Sequence, residues 1–278
     1  MAVSGEDPAI GPAPRARFGS DLKPRVAAAA AMGSLALATA WIGGSVFAVF
    51  WWLASIVVLW EWQRLVGGAR LVERVAVGGI TGALAALFAL HNSILGIVAA
   101  LALGAVAVGW LAGRRDGIWA AAGAVYAGAL VASVGLLRVS PSFGLAAILW
   151  LFAVVWGADI AAYFAGRLIG GPRLWPSVSP GKTWAGAIVG ALAGAVLGLM
   201  LAAWTNRLAA LFWLGLAAAI VSELGDLFES ALKRRFGVKD SSGLIPGHGG
   251  LMDRLDAFVA ASAFAALVAG LNSRGSFI

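Results

Sequence analysis

The sequence predicts an all-α, polytopic integral membrane protein with about nine transmembrane helices and a cytosolic N-terminus, on three observations. The 278 residues are 61% hydrophobic and only 12% charged, against about 25% charged in soluble domains. Nine apolar runs reach the roughly 17–25 residues that a spanning helix needs. Lys and Arg gather in alternate gaps between those runs, the pattern that fixes orientation in a membrane. The formal charge of +7 would suit nucleic acid only as a continuous basic surface stripe. It is dispersed over short gaps instead, so no nucleic-acid partner is expected. The chain has no cysteine, which excludes disulfides and thiolate chemistry and leaves the compartment open.

Residues 1–25 are polar and rich in Pro and Gly, the composition of a disordered arm. The first apolar core begins only after Arg25, too late for a secretory signal, so it reads as an uncleaved membrane helix. An N-terminal transmembrane region, 26–137, holds runs at 26–42, 45–61, 75–91, 93–112 and 117–137, the first two parted only by Gly43 and Gly44. A C-terminal region, 138–278, holds runs at 144–165, 184–204, 208–229 and 255–272. With the arm inside, 17 of the 20 basic residues lie on the cytosolic side, and Arg138, Arg207 and Arg274 are left outside. Fusing the first two runs would expel the four basic residues of the arm. The two longest inner gaps, 166–183 and 230–254, then emerge on one face. Gly186, Gly190, Gly194 and Gly198 line one side of the seventh run, a surface for close helix contact within the chain or across a dimer seam.

Three acidic residues fall clearly within the apolar runs rather than at their edges: Asp159, Glu223 and Asp226. Each costs about 2.5–3.5 kcal/mol at mid-bilayer, and all three lie toward the cytosolic ends of their helices. Asp159 shares a face with Tyr163 and Gly166. Ser222, Asp226, Glu229 and Lys233 form a continuous stripe, in which Glu229 and Lys233 could be an ordinary surface ion pair. Asp226 reads as a metal ligand, a proton relay or the partner of a buried base. Downstream, "KDSSGLIPGHGGLMDRLD" (Lys239–Asp256) crowds Asp240, His248, Gly249, Gly250, Asp253, Arg254 and Asp256 into an apolar chain. Its glycines let backbone amides approach a ligand, and one of its acids could cap a helix. Carboxylates beside clustered bases are the composition of a metal–phosphate site, with oxygen ligands for Mg²⁺ and Lys or Arg for the remaining phosphate charge. "SPGKTWAG" (Ser179–Gly186) is not a Walker A loop, because Pro176 stands where that motif needs Gly. Ser179, Lys182 and Thr183 could hold phosphate at a helix N-terminus or anchor the membrane edge beside Trp184.

"SALKRRFGVKDSSGLIPGHGGLMDRLD" (Ser230–Asp256) resembles the signature of the phosphatidate cytidylyltransferases, or CDP-diacylglycerol synthases. "GDLFES" and "GADIAAYFAGRLIG" are similar to further segments of that family. "SPGKTWAG" departs from its SPKKTWEG, with Gly181 for Lys and Ala185 for Glu, which shifts the weight onto Lys182. The resemblance implies a cytosol-facing, Mg²⁺-dependent enzyme of a bacterial inner membrane that joins phosphatidate and CTP into CDP-diacylglycerol and pyrophosphate. It also implies a homodimer in some members. It maps the metal aspartates onto Asp226 and Asp253, with a second cation shared with Asp256. Lys233, Arg234, Lys239 and Arg254 become phosphate-binding candidates, and His248 a hydrogen-bond donor or loop organiser rather than a base. Two other readings stand beside it. One is a cytidylyltransferase for another lipid phosphate, such as an archaeal ether lipid. The other is a cation-coupled transporter, which predicts acids near the midplane.

Overall fold

The chain is described by a computed structural model over residues 22–140, 143–201, 208–245 and 249–271. Eight helices carry the fold: α1 (Leu22–Ile42), α2 (Gly44–Val66), α3 (Leu71–Leu90), α4 (Ile94–Val139), α5 (Gly144–Leu168), α6 (Trp184–Leu201), α7 (Leu208–Arg235) and α8 (Met252–Leu271). Seven of them, α2 to α8, are long and apolar enough to cross a membrane, and Val26–Ile42 of α1 is a shorter apolar helix. The protein is an all-helical integral membrane protein. The arm expected at 1–25 lies outside the described residues up to Leu22, where α1 begins.

The division at Gly43–Gly44 is real. Gly43 and Gly44 have φ of 69° and 55°, a conformation that side chains with a Cβ rarely adopt, and α1 ends against α2 there. The fourth and fifth runs, expected as two helices, are the two helical arms of the 46-residue α4, parted at Gly113, where φ is 80° and ψ is 177°. Straight, it would measure about 69 Å, more than twice the ~30 Å hydrocarbon core. It folds back instead. A Cβ on Gly117 would lie 2.8 Å from the carbonyl oxygen of Gly109, so two glycines let the arms meet directly below the bend.

Helices from both ends of the chain share one core. Trp51 of α2 stacks on Phe258 of α8 with ring centroids 5.0 Å apart, and Phe152 of α5 stacks on the same Phe258 at 5.2 Å. The glycine face of α6 is used within the chain: a Cβ on Gly190 or Gly194 would come within 2.8 and 2.9 Å of the Ala158 and Val154 carbonyls of α5. The gap before α6 holds an element absent from the expected all-α layout. Two antiparallel strands, β1 (Arg173–Trp175) and β2 (Ser179–Thr183), pair with Arg173 opposite Thr183 and Trp175 opposite Ser179.

The bundle has two distinct ends. At one, Arg138 donates from Nε to the Ala40 carbonyl at 3.0 Å, next to Gly43. At the other, Trp62 Nε1 donates to the Trp119 carbonyl at 2.8 Å. Arg235 covers the Trp119 ring at 4.5 Å, and Arg234 Nε donates to Val178 of the hairpin connection at 3.3 Å. The β-hairpin, the end of α7 and residues 236–245 therefore meet at one end.

Candidate active site

Three groups of charged side chains stand at that end, each fixed by a different element. β2 ends at Thr183, whose Oγ1 accepts from Gly186 N at 3.1 Å and so caps α6 in the usual Ser/Thr manner. The preceding residue is thereby fixed in place, and Lys182 Nζ lies 2.9 Å from Asp226 Oδ2 and 3.6 Å from Glu223 Oε2. Burial alone would lower the pKa of the Lys182 ammonium, but Asp226 and Glu223 outweigh it and hold it above the ordinary lysine value. Asp226 also accepts from Ser230 Oγ at 3.3 Å, one turn on. Asp159 of α5 faces the same cluster, in the field of Asp226, Lys182, Glu223 and Arg254.

The second group lies deeper. Lys233 Nζ is 2.5 Å from Glu229 Oε2 and 2.7 Å from Asp253 Oδ1, and all three side chains are almost fully buried. Glu229 and Lys233 do pair at i and i+4, but inside the protein, not as the surface pair their spacing would suggest. Asp253, in the first turn of α8, is enclosed on both oxygens. Besides Lys233 it accepts from Ser241 N at 3.0 and 3.2 Å, Ser241 Oγ at 3.1 Å and Gly250 N at 2.8 Å. Gly249 has φ of 80°, and a Cβ there would come within 2.6 Å of Asp253 Oδ2. The glycines admit a protein carboxylate to the backbone, where the sequence suggested a ligand.

The third group was not anticipated. Glu61 of α2 is fully buried and accepts from Ser242 Oγ at 2.5 Å, Leu251 N at 2.9 Å and Met252 N at 2.6 Å. It satisfies amides at the start of α8 that the helix cannot satisfy itself. Its signal was the same as for Asp226, an acid at the end of an apolar run, but the run was closed at Glu61 while the helix continues to Val66. Tyr126 of α4 is a second addition. Its ring packs on Trp62 at 5.0 Å. Its hydroxyl is buried without a hydrogen-bond partner among the described residues, in the field of Asp256, Glu229 and Asp226.

The remaining expected residues divide clearly. Asp256 is buried, accepts from Ala257 N at 2.8 Å and lies in the field of Asp226 and Asp159. Arg234 ties the end of α7 to the hairpin through Val178, and to Val238 O at 3.1 Å. Lys239 and Asp240 are exposed at the same end, and Asp240 borders Gly249. Ser179 opens β2 opposite Trp175. His248 lies outside the described residues. Asp226 and Asp253, expected to meet across one metal, each have a protein cation of their own, Lys182 and Lys233. A metal shared between them requires one of those ammonium groups to leave. Among the described residues no three His, Asp or Glu side chains are grouped closely enough to hold a metal by themselves.

Comparison with known proteins bears on most of the chain. The profile of the cytidylyltransferase family matches residues 23–271. The phosphatidate cytidylyltransferase of Brucella suis biovar 1 is 40% identical over 259 residues, covering 88% of this chain and 92% of that protein. The protein of the same name from Pseudomonas aeruginosa is 38% identical over 249 residues, 81% of this chain and 88% of that one. A third, from Bacillus subtilis, matches over 126 residues at 40% identity.

Proposed function

The chain belongs to the cytidylyltransferase family, and we propose that it converts phosphatidate and CTP into CDP-diacylglycerol and pyrophosphate at the cytosolic face of a bacterial inner membrane. The observation that carries this is the pairing of near-full-length similarity to phosphatidate cytidylyltransferases with a cluster of carboxylates and ammonium groups at one end of the helix bundle. A phosphate oxygen of phosphatidate attacks the α-phosphorus of CTP, and the bond to the pyrophosphate leaving group breaks. A phosphate monoester is already largely ionised near neutral pH, so no side chain has to act as general base. The protein's task is to position two anions and neutralise their charge. Lys182, Lys233, Arg234, Lys239 and Arg254 are the groups assigned to it.

Mg²⁺ fits the donor set. The Asp226 and Glu223 oxygens already surround one cation, the Lys182 ammonium, and Mg²⁺ needs only one or two carboxylates when phosphates complete its shell. Bound there, it would neutralise charge between the phosphates. In this reading Asp226 is the metal carboxylate. Asp253 joins it only on releasing Lys233 and otherwise holds Lys233 and the 241–250 segment in place. Asp256 is the candidate for a second cation.

The orientation belongs to the same proposal: nine crossings, with α4 counted twice, and the N-terminus in the cytosol together with 17 of 20 basic residues. A homodimer rests on the family resemblance. A cation-coupled transporter is not favoured, because the acids cluster at one end of the bundle. The test is purified protein in lipid nanodiscs with Mg²⁺, CTP labelled at the α-phosphate, and either phosphatidate or an archaeal-type ether lipid phosphate. Label in the phosphatidate-derived lipid is expected. Label only in the ether lipid would move the substrate assignment, and none in either, from folded protein, would sink the reading.

A further inference from the structure

Lys182 is held where its backbone cannot shift far and its side chain can. β2 pairs with β1 on one side of it, and Thr183 caps α6 on the other. Between these anchors a flexible four-carbon stem carries a compact, strongly hydrated ammonium to Asp226 and Glu223, at 2.9 and 3.6 Å. Its side chain keeps 23% of its exposure and that of Asp226 keeps 31%, so the pair is reachable from solvent. Asp159 and Asp256 add negative field at the same place. Without a cation, the Asp226 and Glu223 carboxylates would share a partly dry site with no close counter-charge, an arrangement that like-charge repulsion and desolvation disfavour.

An ammonium and a divalent metal ion are alternative occupants of these oxygens. Both are cations that seek hard oxygen ligands, and they cannot both sit about 3 Å from Asp226 Oδ2. We propose that Lys182 is a resident counter-cation that keeps the Asp226–Glu223 pair neutralised until a divalent metal displaces it, and that the released ammonium then turns to the substrate phosphates. The role as phosphate partner rests on the function proposed above; the exchange of cations does not.

Two consequences follow from the exchange. Metal binding to the protein alone is weakened, because the metal must first break the Lys182 pair. Phosphate-bearing substrate strengthens it, because the displaced ammonium gains a new partner, and by linkage the metal strengthens substrate binding equally. Metal and nucleotide are thus coupled through one side chain.

The experiment uses the full chain in nanodiscs without nucleotide or lipid substrate. Mn²⁺ alone is titrated by electron paramagnetic resonance into wild type, Lys182→Met and the double variant Lys182→Met/Asp226→Asn. Lys182→Met is expected to bind Mn²⁺ about tenfold tighter or more, as removal of a competing close charge pair implies, and Asp226→Asn to cancel that gain. In parallel, acetylation of Lys182 in the wild type is followed by peptide mass spectrometry with and without Mg²⁺ alone. Mg²⁺ is expected to speed it by freeing the amine. Mn²⁺ affinity in Lys182→Met equal to or below that of wild type overturns the proposal. So does acetylation that Mg²⁺ leaves unchanged or slows. The acetylation arm needs only the wild-type chain, so it decides the matter even where the variant does not fold. A simple phosphate-binding or structural role for Lys182 predicts neither effect, and a negative CDP-lipid assay would leave both readouts intact.

Discussion

Lys233 is a buried cation held by two carboxylates. It lies between Glu229 and Asp253, at 2.5 and 2.7 Å, with 11% of its side chain exposed. Removing one member of a buried ion pair leaves an uncompensated charge and costs about 3–5 kcal/mol. Lys233→Met is therefore expected to lose that much stability in chemical unfolding and to abolish turnover; stability within about 1 kcal/mol of wild type would show that the pair is solvated. Glu61 gives a second prediction. Glu61→Gln keeps the shape but loses a charged acceptor for three donors, each worth about 1.5–3 kcal/mol when charge-assisted. The Leu251 and Met252 amides should then exchange with deuterium faster, while exchange in the middle of α5 stays as in wild type. The residues differed in how visible they were. Asp226 and Asp253 could be picked out because an acid in an apolar run or a helix first turn demands a reason. Lys182 and Lys233 could be picked out as phosphate candidates but not as the partners of Asp226 and Asp253, which they reach through tertiary contact that spacing does not encode.

At the level of elements, the apolar runs mark nearly every helix but place their polar ends poorly. α2 runs on to Val66 and α7 to Arg235, past the ends of the apolar runs, because Glu61, Gln63, Glu229 and Lys233 are packed inside the protein rather than dissolved in water. Hydropathy alone therefore closed the second run at Glu61 and hid its role. The β-hairpin escaped for a different reason. β1 and β2 are three and five residues long, too short for an alternating pattern, and they are pinned by the neighbouring end of α7. Their task is to present Lys182 and to start α6. Thr183→Ala removes that cap and should cost about 1 kcal/mol, read as a loss of thermal stability. It should also lower activity more than a stability loss of that size explains, because Lys182 is the adjacent residue. Activity that falls only in proportion to stability would separate the cap from the site. On α6, Gly190→Leu has no space against the Ala158 carbonyl and should part α5 from α6, carrying Asp159 away from the cluster.

For the whole molecule, among the described residues, Lys182, Lys233, Arg234 and Arg235 stand with the site at one end of the bundle, and the other end carries Arg138. The absence of cysteine makes the orientation directly measurable. In sealed right-side-out cells a membrane-impermeant thiol reagent should label Asn92→Cys and spare Lys239→Cys, and the reverse pattern would invert the topology. Nine apolar runs could be counted from the sequence because lipid imposes a fixed length on each span. The break between the fourth and fifth was legible as well, in Gly113 and the charged residues Arg114, Arg115 and Asp116 that follow it; the direct contact of the two arms through Gly109 and Gly117 was not, because it is a tertiary contact. In the proposed function, this end of the bundle transfers a cytidylyl group under control of the α7 carboxylate Asp226. The most direct test is the initial rate of label transfer from α-labelled CTP into phosphatidate, for wild type and Asp226→Asn side by side in identical nanodiscs. The account predicts labelled CDP-diacylglycerol from the wild type and a rate lower by about 10²-fold or more in the variant, the scale of losing one electrostatic partner in a transfer site. Equal rates in the two proteins, or no labelled lipid from folded wild type, would contradict it.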